Sequence, residues 1–275
     1  MARLEPAVQS GGLLKLYQAL WAPYYQAVLN ILGPTGIVLP LGDPHHGQPN
    51  ATAFTTKGGE QIAFTWSEAP SSFDTPLDLT DAESYQGIVP VLHFNGTDEE
   101  ADTPDVGYWD GGDGSSDNPL SFGVWVNLNA STTENLLLKD SGTGQGSWRM
   151  GTGRLLIRDQ SAEVQCRRDR DSAPSLGVWH FLVTTYSGVG GGLAADGITM
   201  YEDGAVAAST ATNSAGYVAM EADAHKVTFA TSTPSMQFFN GRTAGGPLGL
   251  FFAKKELAAD EVRALYDLGR AALGL

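Results

Sequence analysis

Residues 177–204 read "GVWHFLVTTYSGVGGGLAADGITMYEDG". Phe181, Val183 and Thr185 alternate with Leu182, Thr184 and Tyr186 in a β-branched and aromatic run, which predicts a strand covered on both faces. Ile198-Thr199-Met200-Tyr201 predicts a second strand. Asp203-Gly204 supplies the two positive-φ residues of a tight hairpin turn, and Ala205-Val206-Ala207 returns as a third strand. The stretch is therefore expected to be a meander of antiparallel strands.

Outward from it the same signals recur. Strands are expected at 87–94, 120–128, 135–139, 148–150, 154–159, 162–167, 226–231 and 248–253, and turn residues separate nearly every pair. The 34 glycines, 14 prolines and only 17% charged residues suit many short strands. A chain of 275 residues can fold around one large core, because all-β domains run to about 200–250 residues. Between residues 33 and 84 the chain is loop-rich, with strand-like pieces at Ile37–Leu41 and Gln61–Trp66. Helices are expected near the two ends. From Leu13 to Leu32 apolar residues recur at helical spacing, with Pro23 placed to start a second short helix after Trp21-Ala22. Residues 257–273, "LAADEVRALYDLGRAAL", put Leu257, Val262, Leu265, Leu268 and Ala272 on one stripe, with Asp260 and Glu261 in the first turn and Arg270 in the last. The division expected is an N-terminal arm, 1–22, and a single domain, 23–275.

A formal charge of −15 argues against nucleic acid or anionic lipid as a partner, since both need a positive face. Arg167-Arg168-Asp169-Arg170 is interrupted by acid and reads as a solvated loop. The single Cys166 can form no internal disulfide and has no metal-ligand spacing. No secretory signal and no run of eighteen apolar residues is present, so synthesis in a cytoplasm without membrane insertion is expected. The sequons at Asn50, Asn95 and Asn129 are then chance matches.

The residues in order resemble the laminin-G-like or concanavalin-A-like sandwiches, particularly variants found in bacterial surface proteins and bacteriophage structural genes. The resemblance rests on Tyr25–Leu29 with Gly33-Pro34, Leu92–Asp98, Ser121–Val126 with its tryptophan, Trp179–Tyr186 with Tyr201–Gly204, and Phe239–Arg242 followed by the C-terminal helix. It implies an all-β, two-sheet antiparallel jelly-roll sandwich with short N-terminal helices and a C-terminal helix. It also implies that Trp125 and Trp179 bury together between the two sheets.

Little in the sequence points to catalysis. Glu221-Ala222-Asp223-Ala224-His225 lacks the third carboxylate of the family's glycoside hydrolases, and no G-x-S-x-G elbow is present. Glycines 142–146 and 151–153 lie between strands, which is wrong for phosphate binding. His45-His46 lack a third zinc ligand nearby, and His180 reads as structural. Two kinds of binding site stay open. Eight acids fall between Asp98 and Asp117, and Asp98, Asp110, Asp113 and Asp117 are candidate Ca²⁺ ligands, with a solvated acidic loop as the alternative. Tyr108, Trp109 and Trp148 are candidates for stacking on a glycan, with plugs at the sandwich ends as the alternative.

The resemblance implies a non-enzymatic virion structural protein of a bacteriophage-type particle, a head decoration or tail component. Its expected partners are other virion proteins of a capsid or tail lattice and host surface glycans, and a homo-oligomer is expected. The alternative is a glycan-binding lectin-like module, followed by a glycoside hydrolase.

Overall fold

The structure is a computed structural model that describes residues 10–41, 53–68, 72–74, 91–131, 134–140, 146–231, 237–273 and 275. Two antiparallel sheets face each other. The first runs β15 (Ala205–Val206), β14 (Ile198–Glu202), β13 (Trp179–Tyr186), β8 (Leu120–Leu128), β18 (Asn240–Ala244), β6 (Val91–Asn95), β5 (Ser72–Asp74). Beside β8 it also carries β19 (Phe251–Ala253), which pairs β1 (Ile37–Val38), which in turn pairs β3 (Lys57–Gly58). The second runs β16 (Ser209–Thr212), β12 (Val164–Arg170), β11 (Arg154–Asp159), β10 (Trp148–Gly151), β9 (Asn135–Lys139), β17 (Val227–Phe229), β7 (Glu100–Thr103), β4 (Ala63–Glu68), β2 (Ala53–Thr55). This is the two-sheet antiparallel jelly-roll sandwich expected from the sequence.

The meander forms as read. Thr184 of β13 lies opposite Phe122 of β8 and Met200 of β14, so β13 is paired on both edges. Asp203 (φ 52°) and Gly204 (φ 76°) make the two-residue turn into β15. Period-2 alternation then sends β8 into two cores. Leu120, Phe122, Val124, Val126 and Leu128 enter the inter-sheet core with Trp109, Trp148 and Phe252. Trp125 points the other way, into a second core under the helices with Trp21, Tyr25, Phe181, Val183, Phe251, Leu257, Val262 and Leu265. This corrects the expectation that Trp125 and Trp179 share the inter-sheet interior. Trp125 is sealed at 1% exposure on the outer face of the first sheet, and Trp179 is half-buried on that same face.

The helical layer explains why β8 is buried along its whole length. α1 (Ser10–Leu32) is one helix that runs through Pro23, where a break into two had been expected. Proline removes one backbone hydrogen bond, but Trp21 on one side of it and Tyr25, Val28 and Leu32 on the other all bury on the same sheet face. The helix also crosses the 22/23 boundary between expected arm and domain. α2 (Ala259–Leu273) lies beside it with the acids and Arg270 placed as the helix dipole favours. Lys255 Nζ links the two by donating to Ile31 O at the end of α1 (2.9 Å) and to Glu261 Oε1 in the first turn of α2 (2.6 Å). Among the described residues no helix is long and apolar enough to cross a membrane.

Candidate functional site

Of the three aromatics named for glycan stacking, Trp109 and Trp148 are core residues and Tyr108 is partly buried against that core. Trp109 and Trp148 are both 0% exposed, and Trp148 Nε1 donates to Trp109 O (2.9 Å). Tyr108 packs against Trp109 and Phe252 and donates its hydroxyl to Thr35 O (2.5 Å), so burial first, then the Glu60 charge, pushes its phenol well above its ordinary value. The glycan platform is corrected on this ground: neither indole offers an open ring face. They are aromatics that plug the sandwich, the alternative read for them from the sequence.

Nor do the four named acids gather round one ion, because each has a local partner of its own. Asp98 accepts from Asn95 Nδ2 (2.9 Å) in the turn before β7. Asp113 Oδ1 accepts from the backbone and hydroxyl of Ser115 and Ser116, and these bonds, the Ser115 hydroxyl first, hold its carboxyl well below the usual range. Asp117 takes hydrogen bonds from Tyr186 and Tyr217 (2.8 Å) and from Met220 N (2.6 Å). Asp110 meets a cation, but it is the chain's own. Lys139 Nζ, fully buried, donates to Asp110 Oδ1 (2.5 Å) and Asp105 Oδ1 (2.8 Å) and lies 3.8 Å from Asp223 Oδ1. Burial pulls the ammonium down, but the carboxylates outweigh it and hold its pKa above the ordinary value. Part of the presumed acidic loop, Glu100–Thr103, is a strand. His45-His46 lie outside the described residues.

A concave site lies at the opposite end of the sandwich. β8 starts at Leu120, close to Asp117, and its nine residues end about 25 Å away at Leu128. There a cleft of about 250 Å³ opens, lined by Leu128, Ser131, the β10–β11 turn at Thr152, Gly153 and Arg154, Asp169 and Arg170 at the end of β12, and Ala173 and Pro174 beyond it. The run read as a basic solvated loop builds this wall, since it lies in β12 and alternates between faces. Arg154 and Arg167 both bridge Asp169, the partner directly across from Arg154. On the other face, Arg168 donates to Ala195 O (3.2 Å), and Arg170 donates to Tyr201 O (2.5 Å) and Glu202 (3.3 Å), tying the second sheet to β14. Burial lowers the Arg170 pKa, opposed by the Glu202 and Asp203 charges.

The loop from β12 to β13 flanks the cleft and exposes Leu176 (47%) and Val178 (48%). At its end His180, buried, sits between Ser175 and the pair Glu202 and Asp203. Sequence reading missed this end because its residues come from four separate segments, around 128–131, 152–154, 167–180 and 202–203, and only the Arg-Arg-Asp-Arg run marked it.

No family model and no curated protein matches the chain. Among solved structures, the binding domain of botulinum neurotoxin serotype D/C superposes with a TM-score of 0.52 at 11% identity, over 85% of this chain and 51% of that one. The chain thus spans about half the length of that domain. A botulinum neurotoxin type C structure, described by its dependence on two ganglioside molecules for cell entry, gives 0.49 at 13% identity over 86% and 52%. Domain 4 of a GH43 extracellular arabinanase from Geobacillus stearothermophilus, in complex with arabinotriose, gives 0.42 at 14% identity over 84% and 87%. At these identities the likeness is one of fold.

Proposed function

We propose that the chain is a glycan-binding module whose seat is the cleft at the Leu128 end. The sequence offered this as the alternative to a virion structural role, and the fold likeness to a toxin binding domain supports it better. The observation that carries it is the lining. The Arg154–Asp169 pair and the hydroxyls of Ser131 and Thr152 stand beside the apolar walls of Leu128 and Pro174. A sugar asks for that combination, because its hydroxyl edge needs directed donors and acceptors while its CH face needs apolar contact. The cleft lies below the roughly 300–1,000 Å³ of pockets for drug-sized ligands, so it suits a single ring and not a chain. The seat uses neither the aromatics nor the acidic loop first named for it.

A printed glycan array followed by titration calorimetry on the best binder tests this. Wild-type protein is expected to bind, and Asp169→Asn and Arg154→Met to weaken binding at least about tenfold, the effect of losing a charge-assisted hydrogen bond. Binding to no glycan, or binding unchanged in both variants, refutes the assignment. Placement of the module on a phage-type particle, as a homo-oligomer on a capsid or tail lattice, is carried by the sequence resemblance alone. Peptide mass spectrometry of purified particles checks it.

A further inference from the structure

The rim of the cleft carries a chain of hydrogen bonds that ligand binding does not use. Ser175 Oγ lies 2.8 Å from His180 Nε2, and His180 Nδ1 lies 3.0 Å from Asp203 Oδ2 and 3.3 Å from Glu202 Oε1. A carboxylate can only accept, so Nδ1 carries a proton, and in the neutral tautomer of the imidazole the lone pair of Nε2 faces the serine hydroxyl. The carboxylates are themselves held. Asp203 Oδ1 accepts from Phe181 N (2.9 Å), and Glu202 Oε2 accepts from Arg170 (3.3 Å).

Ser175 is exposed while His180 is 8% exposed. An exposed hydroxyl is satisfied by water, so the fold does not require its bond to a buried imidazole. The serine backbone is also fixed against the cleft wall. Pro174 lines the cleft, Leu176 bridges to Leu128, and Gly177 N donates to Leu128 O (3.0 Å). Nucleophile, base and orienting carboxylate thus follow one another at hydrogen-bond distance, the arrangement that activates a serine.

We propose that Ser175 is an activated nucleophile that cleaves small carboxylic esters at the mouth of the cleft, with His180 as general base and Asp203 as a positioning residue. Ser175 Oγ bonds to the ester carbonyl carbon while its proton passes to His180 Nε2. The bond from that carbon to the alkoxy oxygen breaks, the alcohol leaves with the proton from Nε2, and the acyl group stays on Ser175. Water then adds to the acyl carbon, giving a proton to Nε2. The carboxylic acid departs as Ser175 recovers that proton. The proposal holds whether or not the cleft's ligand is a glycan, so its test and the array test fail separately.

A fluorophosphonate probe phosphonylates an activated serine with loss of fluoride, and peptide mass spectrometry of the full chain locates the adduct. Wild type is expected to be labelled on Ser175 and to hydrolyse p-nitrophenyl acetate, and Ser175→Ala, an exposed change, to lose both with its melting temperature unmoved. Asp203→Asn keeps a residue that tolerates positive φ and an acceptor for Phe181 N. It is expected to label at least about tenfold more slowly. His180→Gln is measured alongside with the same expectation, so that one variant reports where the other does not fold. Absence of the adduct on Ser175, equal labelling of other exposed serines, or an unchanged rate in the folded variants overturns the proposal.

Discussion

Lys139 is the cation of the acidic end, and its burial makes it a sensitive position. Lys139→Met leaves Asp105, Asp110 and the nearly buried Asp223 facing one another with no positive charge between them. Breaking a buried ion pair by removing one partner costs about 3–5 kcal/mol. Chemical denaturation at neutral pH should show a loss of that size, and a loss under about 1 kcal/mol, as for exposed pairs, would mean the cluster is solvated. Asp117 behaves differently. Burial raises its carboxyl above the ordinary range and outweighs the hydrogen bonds from Tyr186, Met220 and Tyr217. Folding therefore favours its protonated form. Its contribution is fully present below the unfolded value of about 4 and is lost as pH rises through the raised folded value. Asp117→Asn removes that dependence while keeping an acceptor for Met220 N. The variant's stability relative to wild type should rise from pH 4 to pH 7, and a difference that stays flat across that range would show that Asp117 does not titrate as described.

β8 and α2 meet at one close contact. A Cβ placed on Gly269 would lie 2.2 Å from Trp125 Nε1, and the indole, 1% exposed, packs against both Phe181 (5.1 Å) and Tyr266 (5.5 Å), so it has little room to move. Gly269→Ala therefore overpacks the helical core and should cost about 1–3 kcal/mol, although alanine is the better helix former. A thermal melt in which the variant equals or exceeds wild type would contradict this packing. Much of this level was legible in advance. The strands from Leu120 to Tyr201 and the C-terminal helix follow from alternation, turn residues and helix-end charges, which are local signals. The continuous α1 was not legible, because proline is a local stop signal and only the sheet face beneath it favours carrying on.

The two cores share β8 and β13, so the sandwich and its helical layer should unfold together. Leu155→Ala in the inter-sheet core should lower stability by about 2–5 kcal/mol. It should shift the same single transition that Gly269→Ala shifts in the outer core. Tryptophan fluorescence and far-ultraviolet circular dichroism should give one midpoint, and two separated midpoints would show the helical layer melting alone.

From local pattern alone came the all-β class and the antiparallel meander with its Asp203-Gly204 turn. These depend on the alternation of side chains and on backbone preferences, which the chain carries wherever it folds. Three-dimensional packing decided that Trp125 faces helices and not the second sheet, that Asp105 and Asp110 of the acidic stretch meet Lys139, and that Ser175, His180 and Asp203 meet beside a cleft. Which face of a buried strand points where, and which distant segment answers a charge, depends on what lies across the sheet, and neighbours in sequence carry no record of it.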